Sequence, residues 1–161
     1  MKPTLTLSTG IAVLALAACG PKAPDASAAA KATADVKTAV AQLVDGYNTR
    51  NLAEAIGVNA PDHLGMAHGF ANVAAADAEQ ASVKAQLADP AMVLAFTDPA
   101  IEASASGDLA VYRATYHVTY TDPNTRRPAT EVGNWVAVFK RQPDGTMKLS
   151  WEVMSDLPKS A

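Results

Sequence analysis

The period of the apolar pattern changes part-way along this 161-residue chain, and that change constrains the fold more than any other feature. Val36, Val40, Leu43, Val44 and Tyr47 fall at i, i+4, i+7, i+8 and i+11, one face of an α-helix. Beyond residue 91 the period becomes two. Tyr112, Ala114, Tyr116, Val118 and Tyr120 share one face of a strand, and Arg113, Thr115, His117 and Thr119 share the other. Helices first and antiparallel strands afterwards is an α+β order, in which helices cover one face of a curved sheet.

Turn chemistry divides both halves. Asp35 reads as an N-cap for the first helix, and residues 48–51 end it. Residues 52–57 restart a short second helix, and Pro61, Asp62, His63 and Gly65 mark a turn. A third helix is predicted over 74–87, stopped at Asp89-Pro90 because proline disfavours helical geometry in the residue before it. Residues 92–96 are a short apolar run. Strands follow over 101–106, 109–121, 129–141 and 146–155, separated by Gly107-Asp108, by residues 122–128 and by Pro143-Asp144-Gly145.

The N-terminus has a different texture. Met1-Lys2, an apolar stretch over 11–18 and small residues at its end have the layout of a bacterial secretion signal. The stretch is shorter than the roughly 18–20 residues a bilayer span needs. Leu16-Ala17-Ala18-Cys19 resembles the bacterial lipobox, which implies removal of residues 1–18 and diacylglycerol and acyl chains (palmitate among them) on Cys19. Two or more such chains hold a protein stably at a membrane. Gly20, where an aspartate would signal inner-membrane retention, points to the outer membrane facing the periplasm. The other reading is cleavage after Ala15-Leu16-Ala17, with Cys19 left as a free thiol. A single cysteine excludes an intramolecular disulfide. Residues 19–34 offer little that could pack and read as a lipidated cysteine followed by a disordered linker, leaving 35–158 as the folded domain.

The charge is mildly acidic, −3 from 16 acidic and 13 basic residues, and the basic residues form no cluster beyond Arg126-Arg127. Nucleic-acid binding needs a concentrated basic face and is excluded as an expectation. A Gly-rich phosphate loop and a GxSxG serine elbow are both absent.

Several motifs together resemble one superfamily. Tyr47-Asn48-Thr-Arg-Asn51-Leu52 is similar to the end of the first helix in nuclear transport factor 2-like proteins. Ser106-Gly107-Asp108-Leu109-Ala110, with Tyr112 and Tyr116 after it, is similar to a hairpin of their SnoaL-like and ketosteroid-isomerase-like members. Gly133-Asn134-Trp135, Lys140-Arg141-Gln142, Asp144-Gly145-Thr146 and Ser155-Asp156 resemble the closing strands. The resemblance spans residues 36–158 and implies a cone of curved antiparallel sheet wrapped by three helices. It also implies a pocket inside and, often, a homodimer through the outer sheet face. The isomerase machinery departs from that pattern. Leu43 stands near the place of the helix-one tyrosine, Met66-Ala67-His68 near that of the basic aspartate, and Met147 near that of a tryptophan.

Within such a cone the catalytic candidates are His68, near the expected pocket mouth, and Glu152, a carboxylate on the last two strands with Trp135 and Trp151. Tyr47, Arg113, Tyr116, His117, Trp135 and Trp151 are candidate pocket residues. Arg113 and His117 form a polar ligand patch if their face lines the cone, and an exposed or dimer surface if it does not. The tyrosine face carries the same alternative, pocket wall or core. His63, Met66 and His68 are soft metal donors without helical spacing or clustered carboxylates, so no metal and no cofactor is expected.

These observations describe a lipid-anchored periplasmic SnoaL-like domain that binds a small, mostly apolar ligand or a partner protein. No catalytic set is legible. One alternative is a proton-transfer enzyme of the isomerase or hydratase kind, acting in the cone. Another is a dimeric assembly subunit of an envelope complex.

Overall fold

The structure is a computed structural model that describes residues 26–74 and 76–157. The expected signal peptide and Cys19 lie outside the described residues. Among these, three helices and five strands follow the order α1 (Ala26–Thr49), α2 (Leu52–Gly57), β1 (Asn59–Ala67), α3 (Ala76–Leu87), β2 (Val93–Ala103), β3 (Leu109–Thr121), β4 (Pro128–Arg141) and β5 (Met147–Asp156). The strands form one sheet in the order β1-β5-β4-β3-β2. β2 to β5 pair antiparallel, and the helices pack on one face of the sheet, as an α+β cone requires.

The core forms where the two apolar periods meet. Val36, Val40 and Leu43 of α1 pack with Tyr112 and Tyr116 of β3, Trp135 and Phe139 of β4, and Leu149 of β5. Each large side chain so buried contributes about 1.5–3 kcal/mol. Phe96 stacks on Trp135 with ring centroids 4.6 Å apart, and Tyr112 packs against the same indole at 5.2 Å. Asn48 fastens α1 to the exposed edge of β2. Its Nδ2 donates to the Leu94 carbonyl (3.0 Å), and the Leu94 amide donates to its Oδ1 (2.9 Å). A side-chain amide thus closes an edge strand that would otherwise present unpaired backbone groups.

Four expectations need correction. Residues 26–34 are not a linker but the first turns of α1, with Ala32 fully buried beside Val36. Alanine has the highest helix propensity, and its small side chain lets the helix approach the β2–β3 turn closely. A Cβ placed on Gly107 would come within 2.5 Å of the Ala28 carbonyl oxygen. Asp35 is therefore not a cap. It sits inside the helix and receives Lys31 at 2.7 Å and Arg141 at 2.9 Å.

Residues 61–65, expected as a turn, belong to β1, which pairs parallel to β5 and makes the sheet mixed. The turn-forming residues fall at its register break, between Asn59↔Leu149 and Leu64↔Trp151. Proline is tolerated there because β1 is an edge strand. The runs over 92–96 and 101–106 are joined in one strand, β2, whose register shifts between Thr97 and Ala100. Asp98 sits at that kink with φ 53°.

A register shift in β5 decides which side chains face inward. Phe139 pairs with Leu149 but Val138 pairs with Trp151, so Ser150 is the extra residue. Alternation restarts beyond it, placing Glu152 and Met154 on the inner face and Trp151 on the outer one.

Candidate functional site

Between the helices and the inner face of the sheet lies a cavity of about 1040 Å³. Apolar residues such as Leu43, Phe96, Val118 and Met154 make up much of its lining. One polar wall is formed by Tyr47 of α1, Asn59 and Gly65 of β1, Glu79 of α3 and Glu152 of β5, and further polar groups, among them Asp89, Asp122, Asn124 and Glu131, border the cavity elsewhere. His63 stands behind that wall, 6% exposed, with its Nε2 3.4 Å from Glu152 Oε1. The other oxygen of Glu152 accepts a hydrogen bond from the Trp135 indole N–H.

Burial pushes the Glu79 carboxyl above the usual carboxylate range. His63 and a hydrogen bond from the Asn59 side chain oppose that shift, while the Glu152 charge adds to it. The Tyr47 hydroxyl is likewise raised, first by burial and then by the two carboxylates, and it donates to Gln86 Oε1 at 3.3 Å. Farther along the cavity Tyr116, 1% exposed, donates to Glu131. Burial and then that bond raise its hydroxyl as well.

The structure therefore divides the candidate residues. Tyr47, Tyr116, Trp135, Glu152 and His68 line the cavity. Arg113, His117 and Trp151 do not. Arg113 and His117 lie on the opposite face of β3, where Arg113 Nε is 3.9 Å from Glu102 and His117 Nε2 is 3.1 Å from the Thr97 hydroxyl. The tyrosine face is both pocket wall and core, because Tyr112 and Tyr116 pack into the core while Tyr116 and Tyr120 also border the cavity.

The two catalytic candidates stand apart. Glu152 belongs to the polar wall, whereas His68 is exposed and faces Asp156 at 3.7 Å. His63 and His68 do not come together either, since His63 faces Glu152 and Glu79.

Glu79, Asn59 and Gln86 had no place in the sequence reading. For Glu79 a signal existed. It stands at i relative to Val83 (i+4) and Leu87 (i+8), the two buried residues of α3, so it is a carboxylate on the helix's apolar face.

With this geometry in view, the comparisons with solved structures define the class of fold. A nuclear transport factor 2-like protein with a cystatin-like fold from Novosphingobium aromaticivorans superposes with a TM-score of 0.66 at 17% identity, covering 82% of this chain and 86% of that chain. A ketosteroid isomerase-like protein from Erwinia carotovora atroseptica gives 0.63 at 14% identity, covering 77% and 95%. A nuclear transport factor 2-like superfamily protein from Salmonella enterica serovar Typhimurium gives 0.67 at 11% identity, covering 82% and 95%. No family model and no curated protein matches the chain. The fold is the nuclear transport factor 2-like cone that the motifs implied. At these identities the likeness concerns fold, and function has to be argued from the cavity itself.

Proposed function

We propose that the protein is a lipid-anchored domain of the bacterial envelope that binds a small, mostly apolar molecule with one polar end. The cavity carries this reading. Its volume of about 1040 Å³ suits a small organic ligand, and its largely apolar lining includes one wall where Tyr47, Asn59, Glu79 and Glu152 could take up a polar group of that ligand. The anchor rests on Leu16-Ala17-Ala18-Cys19, with Gly20 favouring the outer membrane and the periplasmic side. Transient membrane solutes would then meet a receptor already held at the surface from which they partition.

Native mass spectrometry of the full chain purified from its own host tests the reading. We expect a population carrying one small apolar molecule, which Met154→Trp removes by filling the cavity. A wild-type chain that stays empty, and that fails to take up apolar carbonyl compounds offered to it, would overturn the proposal.

A further inference from the structure

We propose that His63, Glu79 and Glu152 bind one divalent transition-metal ion of the zinc or manganese type at the polar wall of the cavity. The donors come from β1, α3 and β5, and one ligand atom from each lies within 4.8 Å of the other two. Bonds of about 2.0–2.2 Å in tetrahedral geometry set ligand atoms about 3.3–3.6 Å apart, so closure needs the donors to approach by about 1 Å, within reach of side-chain rotation.

A second observation points to a ligand independently. The His63 side chain is 5% exposed, and neither ring nitrogen has a hydrogen-bond partner. A buried imidazole left in that condition is costly, and an ion on Nε2 would relieve it. Charge agrees with this. Two carboxylates share this partly buried wall, and neither a lysine nor an arginine is among the groups acting on Glu79.

The surroundings hold the donors in place for such an ion. The Trp135 indole occupies one oxygen of Glu152 and leaves Oε1 facing His63, while Asn59 bonds Glu79. Outer partners of this kind orient metal-binding carboxylates. Gly65 lies in the middle of the set. A Cβ there would be 3.6 Å from His63 Cε1 and 3.8 Å from both Glu152 Oε1 and Glu79 Oε2, so any longer side chain would grow into the space between the donors. Gly65, Glu79 and Glu152 line the cavity, so the remaining coordination positions face it and stay open to the oxygen of a bound molecule. One imidazole with two carboxylates suits zinc or manganese and, lacking sulfur, does not select copper(I).

The test uses the full chain, stripped with a chelator and free of added organic ligand, so its outcome is separate from that of the cavity reading. Zn²⁺ is titrated by calorimetry and Mn²⁺ by electron paramagnetic resonance. We expect one ion per chain, with affinity lowered at least about tenfold by Glu152→Gln and by Gly65→Val and unchanged by His117→Ala on the outer sheet face. Nuclear magnetic resonance of the wild-type histidine rings, which needs no variant to fold, should show Zn²⁺ shifting His63 alone. Absence of binding to the wild-type chain would overturn the site. So would an unshifted His63 ring, or binding that survives Glu152→Gln in a folded variant.

Discussion

Arg141→Ala should destabilise the protein by about 2 kcal/mol, because this one side chain ties α1, at Asp35, to two hairpin turns. Its Nε donates to the Gly107 carbonyl at 2.8 Å, and its Nη1 donates to Asp35 Oδ2 and to the Gly145 carbonyl, each at 2.9 Å. The three bonds are not equal. Gly145 is exposed, so water replaces the lost donor at almost no cost. Gly107 is buried, so its carbonyl forfeits a partner it cannot fully recover, a loss of about 1–2 kcal/mol. The Asp35 pair, with the side chains 23% and 27% exposed, adds about 0.5–1 kcal/mol. Urea unfolding of Arg141→Ala, Asp35→Asn and the double variant separates the terms. The cycle should return a coupling of about 0.5–1 kcal/mol, with most of the arginine's effect persisting in the Asp35→Asn background. A single-variant loss under about 0.5 kcal/mol would refute the view that Arg141 ties α1, at Asp35, to the two hairpin turns.

Other outcomes follow from neighbouring features. Gly133→Ala should cost about 2–3 kcal/mol in thermal or urea unfolding, since a Cβ there would lie 2.5 Å from the Tyr116 ring and 2.2 Å from the Ser155 carbonyl. Asp89 accepts bonds from the Thr121 hydroxyl, the Thr121 amide and the Ala91 amide, which hold its carboxyl below the ordinary carboxylate range. Its contribution is therefore complete above about pH 4 and is lost as pH falls through the folded-state value, so Asp89→Asn should flatten the acid limb of a stability–pH curve. Cys19→Ser should move the protein from the membrane to the soluble fraction and abolish labelling by palmitate. Retention in the membrane would count against the anchor. Trp135→Phe keeps the stack on Phe96 but frees Glu152, and should lower Zn²⁺ affinity about tenfold without a comparable loss of fold, read by calorimetry beside circular dichroism.

Much of the architecture was legible because periodicity is a local property. The strands over 109–121 and 129–141 and the helix over 52–57 appear within a residue of their expected bounds. β1 was not legible. Its Pro61 and Asp62 are turn formers read locally, and only the parallel partner β5 makes an edge strand of them. The start of α1 failed for a related reason. An alanine-rich stretch without an apolar stripe looks unable to dock, until a glycine turn approaches near enough for alanine to be the right size.

The candidate site divides in the same way. Tyr47, Tyr116 and Trp135 were visible as candidate pocket aromatics, but the strand period alone did not say which sheet face lines the cavity. Glu152 was visible as a carboxylate among them, but the extra residue Ser150 determined that it, and not Trp151, faces inward. Glu79 could have been found on the apolar face of α3, although no local pattern says which strand that helix covers.

By itself the sequence determined the change from helices to strands, much of the core's composition and the motif at Cys19, because each is written in neighbouring residues. Tertiary structure alone decided that His63, Glu79 and Glu152 meet. They lie 16 and 73 residues apart along the chain and belong to an edge strand, a helix and the closing strand. Their proximity depends on a parallel pairing, a register shift and the packing of α3, none of which any short segment encodes.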